Sequence, residues 1–401
     1  MFARIPGYGG QGEGGFVSVA GLWGPKLRYR HRQRRNKPLR TAISGIGLCG
    51  GFGTGIEAFR KALETGERAK GTVTVRSEEG PFQGPAYLAD TGPLDRFVER
   101  KALRRLDHFS KLALLAACLA YEDAGDPAWD RSKTGLVVAS GYGPLTTTFA
   151  FLDSFIESGD KFSSPTPFSH SVHNAALAQV SMRLGITGPG LTVSQFEMSV
   201  PSALLTAWTW LEEGRVDSLL FGAVDEYNEV LGYCWHRLFG PWGDDLKPLD
   251  FQRQTAVPGE GAVFFLLADA EKIDRPPYAY VERVRLGRGP YEPASLPQEA
   301  CLVLGADGHK GCGSYYRPLL GRSYPVLCGT PSYGSFPAGA AFDVAAAALM
   351  LKEGKITASC WHSGTVSKGC PLEGRPLCCL KMGPDGEWGE ILLTPWKGKD
   401  D

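Results

Sequence analysis

The sequence predicts an α/β protein in which helices cover layers of buried strands. Three observations carry that prediction. Segments such as TGLVVASGYG (134–143) and VDSLLFGAVDE (216–226) are apolar along almost their whole length. Strands of that kind are buried on both faces of a parallel or mixed sheet. The segments LDHFSKLALLAACLAYEDAG (106–125) and FDVAAAALMLKEGKI (342–356) have helical composition and are apolar on nearly every side, which requires burial between layers. Strand and helix signals then alternate along the chain, the pattern of a layered α/β fold.

Taken in order, regular structure is expected to begin at TAISGIGLCGGFGTG (41–55), where Ala42, Ile43 and Ile46 give a short strand and the glycines give a turn. IEAFRKALETG follows with helical spacing and a glycine stop. The glycine run lacks the Lys-Ser/Thr pair of a P-loop, which argues against nucleotide binding. After helix 106–125 and strand 134–143 come a strand LTVSQFE, a buried helix SALLTAWTWLEEG (202–214), strand 216–226, a strand GEGAVFFLLADAE (259–271) and the Ala-rich helix at 342–356. A chain of 401 residues suggests two domains or one large unit of two halves. The division expected is a flexible arm at 1–40, a first half at 41–255 and a second at 256–401.

Formal net charge is zero, but it is unevenly spread. Lys26 to Arg40 (KLRYRHRQRRNKPLR) holds eight basic residues and no acid. Arg4 and Glu13 cancel, so residues 41–401 carry a surplus of eight acids. Such a basic block reads as a solvated tail or as a docking arm for an acidic partner. No apolar run reaches the ~20 residues of a membrane helix, and no secretory leader is recognisable, so a cytoplasmic location without membrane insertion is expected. Reduced thiols follow from that location. Cys301, His309, Cys312 and Cys328 are candidates to converge on a metal, but no C-x-x-C pair supports zinc, and the cysteines are read as small core residues. No metal, cofactor or nucleic acid is expected.

Four segments, in this order and spacing, resemble the β-ketoacyl synthase family of the thiolase fold over about residues 41–360. They are AISGIGLCGGFGTGIEAFRKALETG, LDHFSKLALLAACLAYEDAG, PTPFSHSVHNAALAQVSMRLGITGPGLTVS and PLDFQRQTAVPGEGAVFFLLADAE. The resemblance implies a layered αβαβα fold made of two similar halves. It also implies a chemistry with a Cys nucleophile at a helix start, where the dipole and backbone N–H groups lower its pKa and hold an oxyanion. Two His residues of the family stabilise the enolate. Carried onto this chain, the Cys falls on Glu197, the first His on Asp307 in GADGHKG, and the second His on Gly334 in YGSFPAGAAFD. The family's late Gly-Phe-Gly-Gly segment is replaced by PLCCLKMGPDGEWGEIL.

Glu197 is a poor acyl acceptor, since attack on a thioester would give a high-energy anhydride. An ionised Glu also repels a malonyl carboxylate. The resemblance therefore points to the chain-length-factor group, whose subunits keep the fold, lose the catalytic residues and pair with an active ketosynthase. Two other readings stand beside it. One is non-condensing acyl-thioester chemistry (hydration, dehydration or isomerisation) by a Glu197/Asp307 pair that shares one proton. The other is a homodimeric scaffold for acyl chains or acyl carrier protein. In the bland version of the site, backbone N–H groups at the helix start cap Glu197.

Further pocket candidates are Phe196, Met198, His170, His173 and Asn174, the two His serving as replacement bases or merely positioning Asn174. Trp208 and Trp210 narrow the pocket or belong to the core. Asp225 and Glu226 end a strand, either at a site or in a structural pair with an Arg such as Arg253. The expected subunit interface includes Thr192, Val193 and Ser194 in the strand Gly190 to Ser194, and the loop Tyr142 to Phe149.

Overall fold

The computed structural model describes residues 39–398 except 67–69, 79, 160–164, 294–295, 323, 358–360 and 364–368. The arm expected at 1–40 lies outside the described residues save Leu39 and Arg40. In chain order the strands are β1 (Thr41–Gly50), β2 (Gly53–Thr54), β3 (Gly71–Ser77), β4 (Gly80–Ala86), β5 (Thr134–Ala139), β6 (Gly190–Val193), β7 (Ser218–Asp225), β8 (Gly261–Asp269), β9 (Ala279–Arg288), β10 (Cys301–Leu304), β11 (Val326–Leu327), β12 (Trp361–Ser363), β13 (Leu377–Met382) and β14 (Glu387–Thr394). The helices are α1 (Ile56–Thr65), α2 (Arg100–Leu103), α3 (His108–Asp123), α4 (Leu145–Ser158), α5 (Pro165–His170), α6 (Ala175–Leu184), α7 (Ser199–Glu212), α8 (Glu229–Phe239), α9 (Gly313–Leu320) and α10 (Ala340–Glu353).

Apart from the β3–β4 hairpin, the strands join in the order β12-β11-β10-β13-β14-β9-β1-β8-β7-β5-β6, with β2 folded back on β1. Two copies of one pattern are present. In the first, β5 lies parallel to both β6 and β7, and β8 runs antiparallel to β7 and to β1. In the second, β10 lies parallel to both β11 and β13, and β14 runs antiparallel to β13 and to β9. Numbered within each half, the order is the same, so the two similar halves expected from the resemblance are present. The boundary needs correcting: β8 pairs with β1 and closes the first half, so the halves meet between Asp269 and Ala279. The division after residue 255 came too early because that long pairing is invisible in sequence.

The layers follow from which faces are apolar. Helix α3 packs on the outer face of β1, β7 and β8 and buries Phe109, Leu112, Leu115 and Leu119 with Leu220 and Phe264. Its start is fixed by Asp107, whose carboxylate accepts the Ser110 backbone N–H at 2.8 Å. The approach is so close that a Cβ on Gly47 would stand 2.1 Å from the Ala116 carbonyl oxygen, which explains a glycine inside a strand. Helices α7 and α10 share the central layer: α7 touches β5 and β7 of its own half and β9 and β14 of the other, and α10 reaches β8. A second core covers the far face of β10 and β13 under α9. Helix–sheet–helix–sheet–helix is the resulting αβαβα order. Among the described residues, no helix is long and apolar enough to cross a membrane.

Candidate functional site

The site forms where the starts of the central helices meet the ends of the parallel strands. Glu197 lies in the 3-10 turn Phe196–Met198 between β6 and α7. Asp307 follows β10, and Lys381 sits next to the end of β13, beside it in the sheet. The Lys381 Nζ donates to Asp307 Oδ2 at 2.7 Å and to the Gly305 carbonyl at 3.1 Å, and it touches Glu197 Oε2 at 2.7 Å. The last contact lacks the angle of a hydrogen bond, so charge rather than direction holds Glu197 there. All three side chains are largely buried, Lys381 only 5% exposed.

The electrostatics follow. Burial alone would raise the Asp307 carboxyl, but the Lys381 ammonium overrides it and holds that carboxyl below its usual range. Burial works against the Lys381 charge in the same way, yet Asp307 and then Glu197 keep it protonated, well above the ordinary lysine value. Glu197 and Asp307 do converge, but neither sequence expectation for them holds. Asp307 is not the proton-sharing member of a dyad, because the ammonium stands against it. Glu197 is held by an ammonium from β13 and not by a cap of backbone N–H groups. The void against Lys381, lined also by Pro201, Ala340, Asp343 and Gly389, is about 10 Å³. That is room for one water.

Gly334 has no side chain for a physical reason. Its φ is +90°, and a Cβ there would lie 2.7 Å from the Tyr87 ring and 3.2 Å from the Gly259 Cα. Tyr87 is fully buried and fixed by its hydroxyl, which donates to the Pro331 carbonyl at 2.9 Å. The neighbours are committed elsewhere. Ser335 Oγ donates to the Asp307 carbonyl at 2.6 Å, and the Tyr333 hydroxyl donates to Asp343 Oδ1 at 2.7 Å.

The other sequence candidates divide. Met198 is buried and packs toward Gly389 of β14, whereas Phe196 is 69% exposed. His170 Nδ1 lies 3.2 Å from Asp107 at the start of α3. The His173 ring fills the space over Gly143, and Asn174 precedes α6. Trp208 and Trp210 pack against the main core. Asp225 accepts from Ser140 Oγ and from the backbone N–H groups of Tyr142 and Ala338, at 2.8–2.9 Å. Glu226 accepts the Thr146 backbone N–H at 2.7 Å. Arg253 instead pairs with Asp250 and Asp245 on the surface, so the expected pairing with Asp225 or Glu226 is wrong. His309 bonds to Gln254 and packs against Trp235 and Phe239, and Cys301, Cys312 and Cys328 are buried free thiols. No cluster of His, Cys, Asp and Glu suited to a metal occurs among the described residues.

Sequence reasoning missed Lys381 and Tyr87. The signal for Lys381 was a lone charge inside the apolar strand LCCLKM.

Asp343 extends the buried charge. Burial pushes its carboxyl up to about 7, although the Tyr333 hydroxyl and Lys381 pull it down. A folded-state value above the unfolded one of about 4 means that the protonated form favours folding. That contribution is fully present below about pH 4 and is lost as pH rises through about 7. The wild type is therefore expected to lose stability between about pH 5 and 8 relative to Asp343→Asn. Urea unfolding of both proteins at the two pH values checks this, and parallel curves would refute it.

Comparison with known proteins agrees with this architecture. Residues 40–272 match the beta-ketoacyl synthase N-terminal domain, and the chain belongs to that family. A putative polyketide beta-ketoacyl synthase 1 from Streptomyces cyaneus is 29% identical over 247 residues, which is 58% of each chain. Nodulation protein E of Rhizobium sp. (strain N33) is 29% identical over 237 residues, again 58% of each. The chain thus matches little more than half the length of these curated relatives. Among solved structures, the ishigamide ketosynthase/chain length factor superposes with a TM-score of 0.75 at 18% identity, covering 90% of this chain and 100% of that one. A ketosynthase in complex with its chain length factor from Xenorhabdus doucetiae gives 0.73 at 14% identity, covering 89% and 98%. At such identities the likeness shows the fold.

Proposed function

We propose that this chain is a catalytically silent, chain-length-factor-type subunit. It pairs with an active β-ketoacyl synthase, in the cytoplasm, in a fatty-acid, polyketide or aryl-polyene-like pathway that uses an acyl carrier protein. One observation carries the reading: Glu197 and Asp307, at the positions implied for the nucleophile and the first His, are tied to the buried Lys381 ammonium. A thioester has no thiol to attack it there. The enolate of a condensation would meet two carboxylates where it needs neutral donors. The same ammonium counts against hydration or isomerisation by a carboxylate pair, because the Asp307 carboxylate is engaged by Lys381 and held weakly basic. The fold neighbours include a ketosynthase in complex with its chain length factor, and a type II PKS acyl-carrier protein in complex with its ketosynthase. Those pairings supply the partner classes proposed here.

The test is to tag the chain in its native host and identify what elutes with it, then to assay the separated chain on malonyl-carrier substrate. A stoichiometric ketosynthase with a Cys and two His in its site is expected, together with no carbon dioxide release by this chain alone. Decarboxylation or condensation by the separated chain would sink the proposal.

A further inference from the structure

A cleft beside α3 stands apart from the site described above and shares no residue with it. Its volume is about 520 Å³, within the roughly 300–1,000 Å³ of small-molecule sites. Three elements enclose it: the segment from Phe97 to Ala102 that enters α2, the last turns of α3, and the end of α6. The space stays open because α3 and α6 both stop there. Helix α6 ends at Gly185 (φ +66°), and the chain leaving α3 turns at Gly125 and Asp126 (φ +79° and +49°).

Its lining and its rim differ in chemistry. Phe97, Val98, Cys118 and Leu184 give an apolar lining. Burial pushes the Cys118 thiol up to about 12, so that lining carries no charge. The charged groups at the cleft are Glu99, Glu122, Asp126 and Arg183. Arg96 already engages Glu122 at 2.6 Å. The side chains of Glu99, Asp126 and Arg183 have no ion-pair or hydrogen-bonding partner among the described residues. Asp126 is set in the rim by its left-handed backbone, a region that Asp tolerates better than most residues. Its N–H donates to the Tyr121 carbonyl at 2.7 Å. Arg100 and Lys101 of α2 do not line the cleft. Two unpaired carboxylates against one guanidinium leave a surplus of one negative charge beside an apolar lining.

We propose that this cleft is a binding site for a small apolar primary amine, its chain against the lining and its ammonium met by Glu99 and Asp126. A ligand of one positive charge balances the rim. A carboxylate of the same chain would leave the rim with two surplus negative charges, and an alcohol would leave its one unanswered. The proposal stands without the silent-subunit reading, since none of Glu197, Asp307 and Lys381 takes part.

The experiment titrates the full chain, in whatever assembly it is purified, with n-hexylamine, n-hexanol and hexanoate at pH 7 and low salt, by calorimetry and by the thermal midpoint. Binding to the folded state raises that midpoint. The amine is expected to bind at least about fivefold more tightly than the alcohol or the acid, as two exposed charge contacts would give. Two variants test the placement. Glu99→Gln with Asp126→Asn removes the charge and keeps a residue that accepts the left-handed backbone at 126; it is expected to weaken the amine at least about fivefold and to leave the alcohol unchanged. Ala102→Phe fills the space and is expected to abolish binding of the amine. One variant acts on charge and the other on volume, so a folding defect in either leaves the other to decide. Hexanol or hexanoate bound as tightly as the amine overturns the proposal. Amine affinity that is unchanged in a folded variant overturns it as well, and so does the absence of heat and of any midpoint rise with the wild type at about 10 mM amine.

Discussion

Replacing Lys381 with methionine will destabilise the protein by about 3–5 kcal/mol, the cost of leaving buried charge without its partner. Lys381 is the cation between Glu197 and Asp307, with both contacts at 2.7 Å. Without it, two carboxylates face each other in a site that is already shielded from solvent. One of them will then take up a proton, so the deficit is expected to shrink as pH falls from about 7 to about 5. The companion variant changes all three residues: Glu197→Gln, Asp307→Asn and Lys381→Met. It removes the charges together and is expected to recover most of the loss, since neutral replacement of a buried ion cluster costs little. Urea unfolding at the two pH values measures each term. A loss under about 1 kcal/mol for the single change would mean that water reaches the cluster, contrary to its burial.

Placing histidine at Gly334 will be as damaging, for steric reasons. The new Cβ would stand 2.7 Å from Tyr87 Cδ2, at a residue whose φ of +90° already excludes most side chains. Tyr87 has no room to yield, being fully buried and bonded to Pro331. Overpacking combined with backbone strain places the expected loss above about 3 kcal/mol, seen as little soluble protein or a large drop in thermal midpoint. Adding Tyr87→Ala should relieve the clash and leave the φ penalty, giving partial recovery. A Gly334→His protein with the wild-type midpoint would show that the loop can move aside. In the fold as it stands, the third catalytic position implied by the family resemblance has been filled from a neighbouring loop. Restoring Cys at 197 and His at 307 would therefore still leave the set incomplete.

Much of the architecture was legible because its signals are local. The largely apolar strands at 134–139 and 218–225 and the nearly all-buried helices α3 and α10 state their burial in composition alone. Pairings between distant segments were not legible. That β8 returns to β1 decides where the halves divide, and the register Ile46–Phe265 leaves no local trace. The site shows the same division. Glu197 and Asp307 were found because each stands in a motif-like turn. Their setting was not legible, because the ammonium that meets them arrives 74 residues after Asp307 in a strand with no motif. Arg253 was misassigned for the converse reason: acids close by in sequence, Asp250 and Asp245, satisfy it first.

The shared central layer bears on how this protein can be cut. Helix α7 packs on strands β9 and β14 of the other half, and α10 reaches β8. Asp225 of the first half accepts the Ala338 N–H next to the start of α10, while Lys381 of the second half meets Glu197 before the start of α7. Each half thus finishes the other's helix entrance with a charged side chain. The segment 40–272, a recognisable block of family sequence, is therefore not a block of stability. A gene fragment encoding it alone would yield a polypeptide with a bare apolar helix and a carboxylate without its counter-ion. The two halves are bound to melt as one piece.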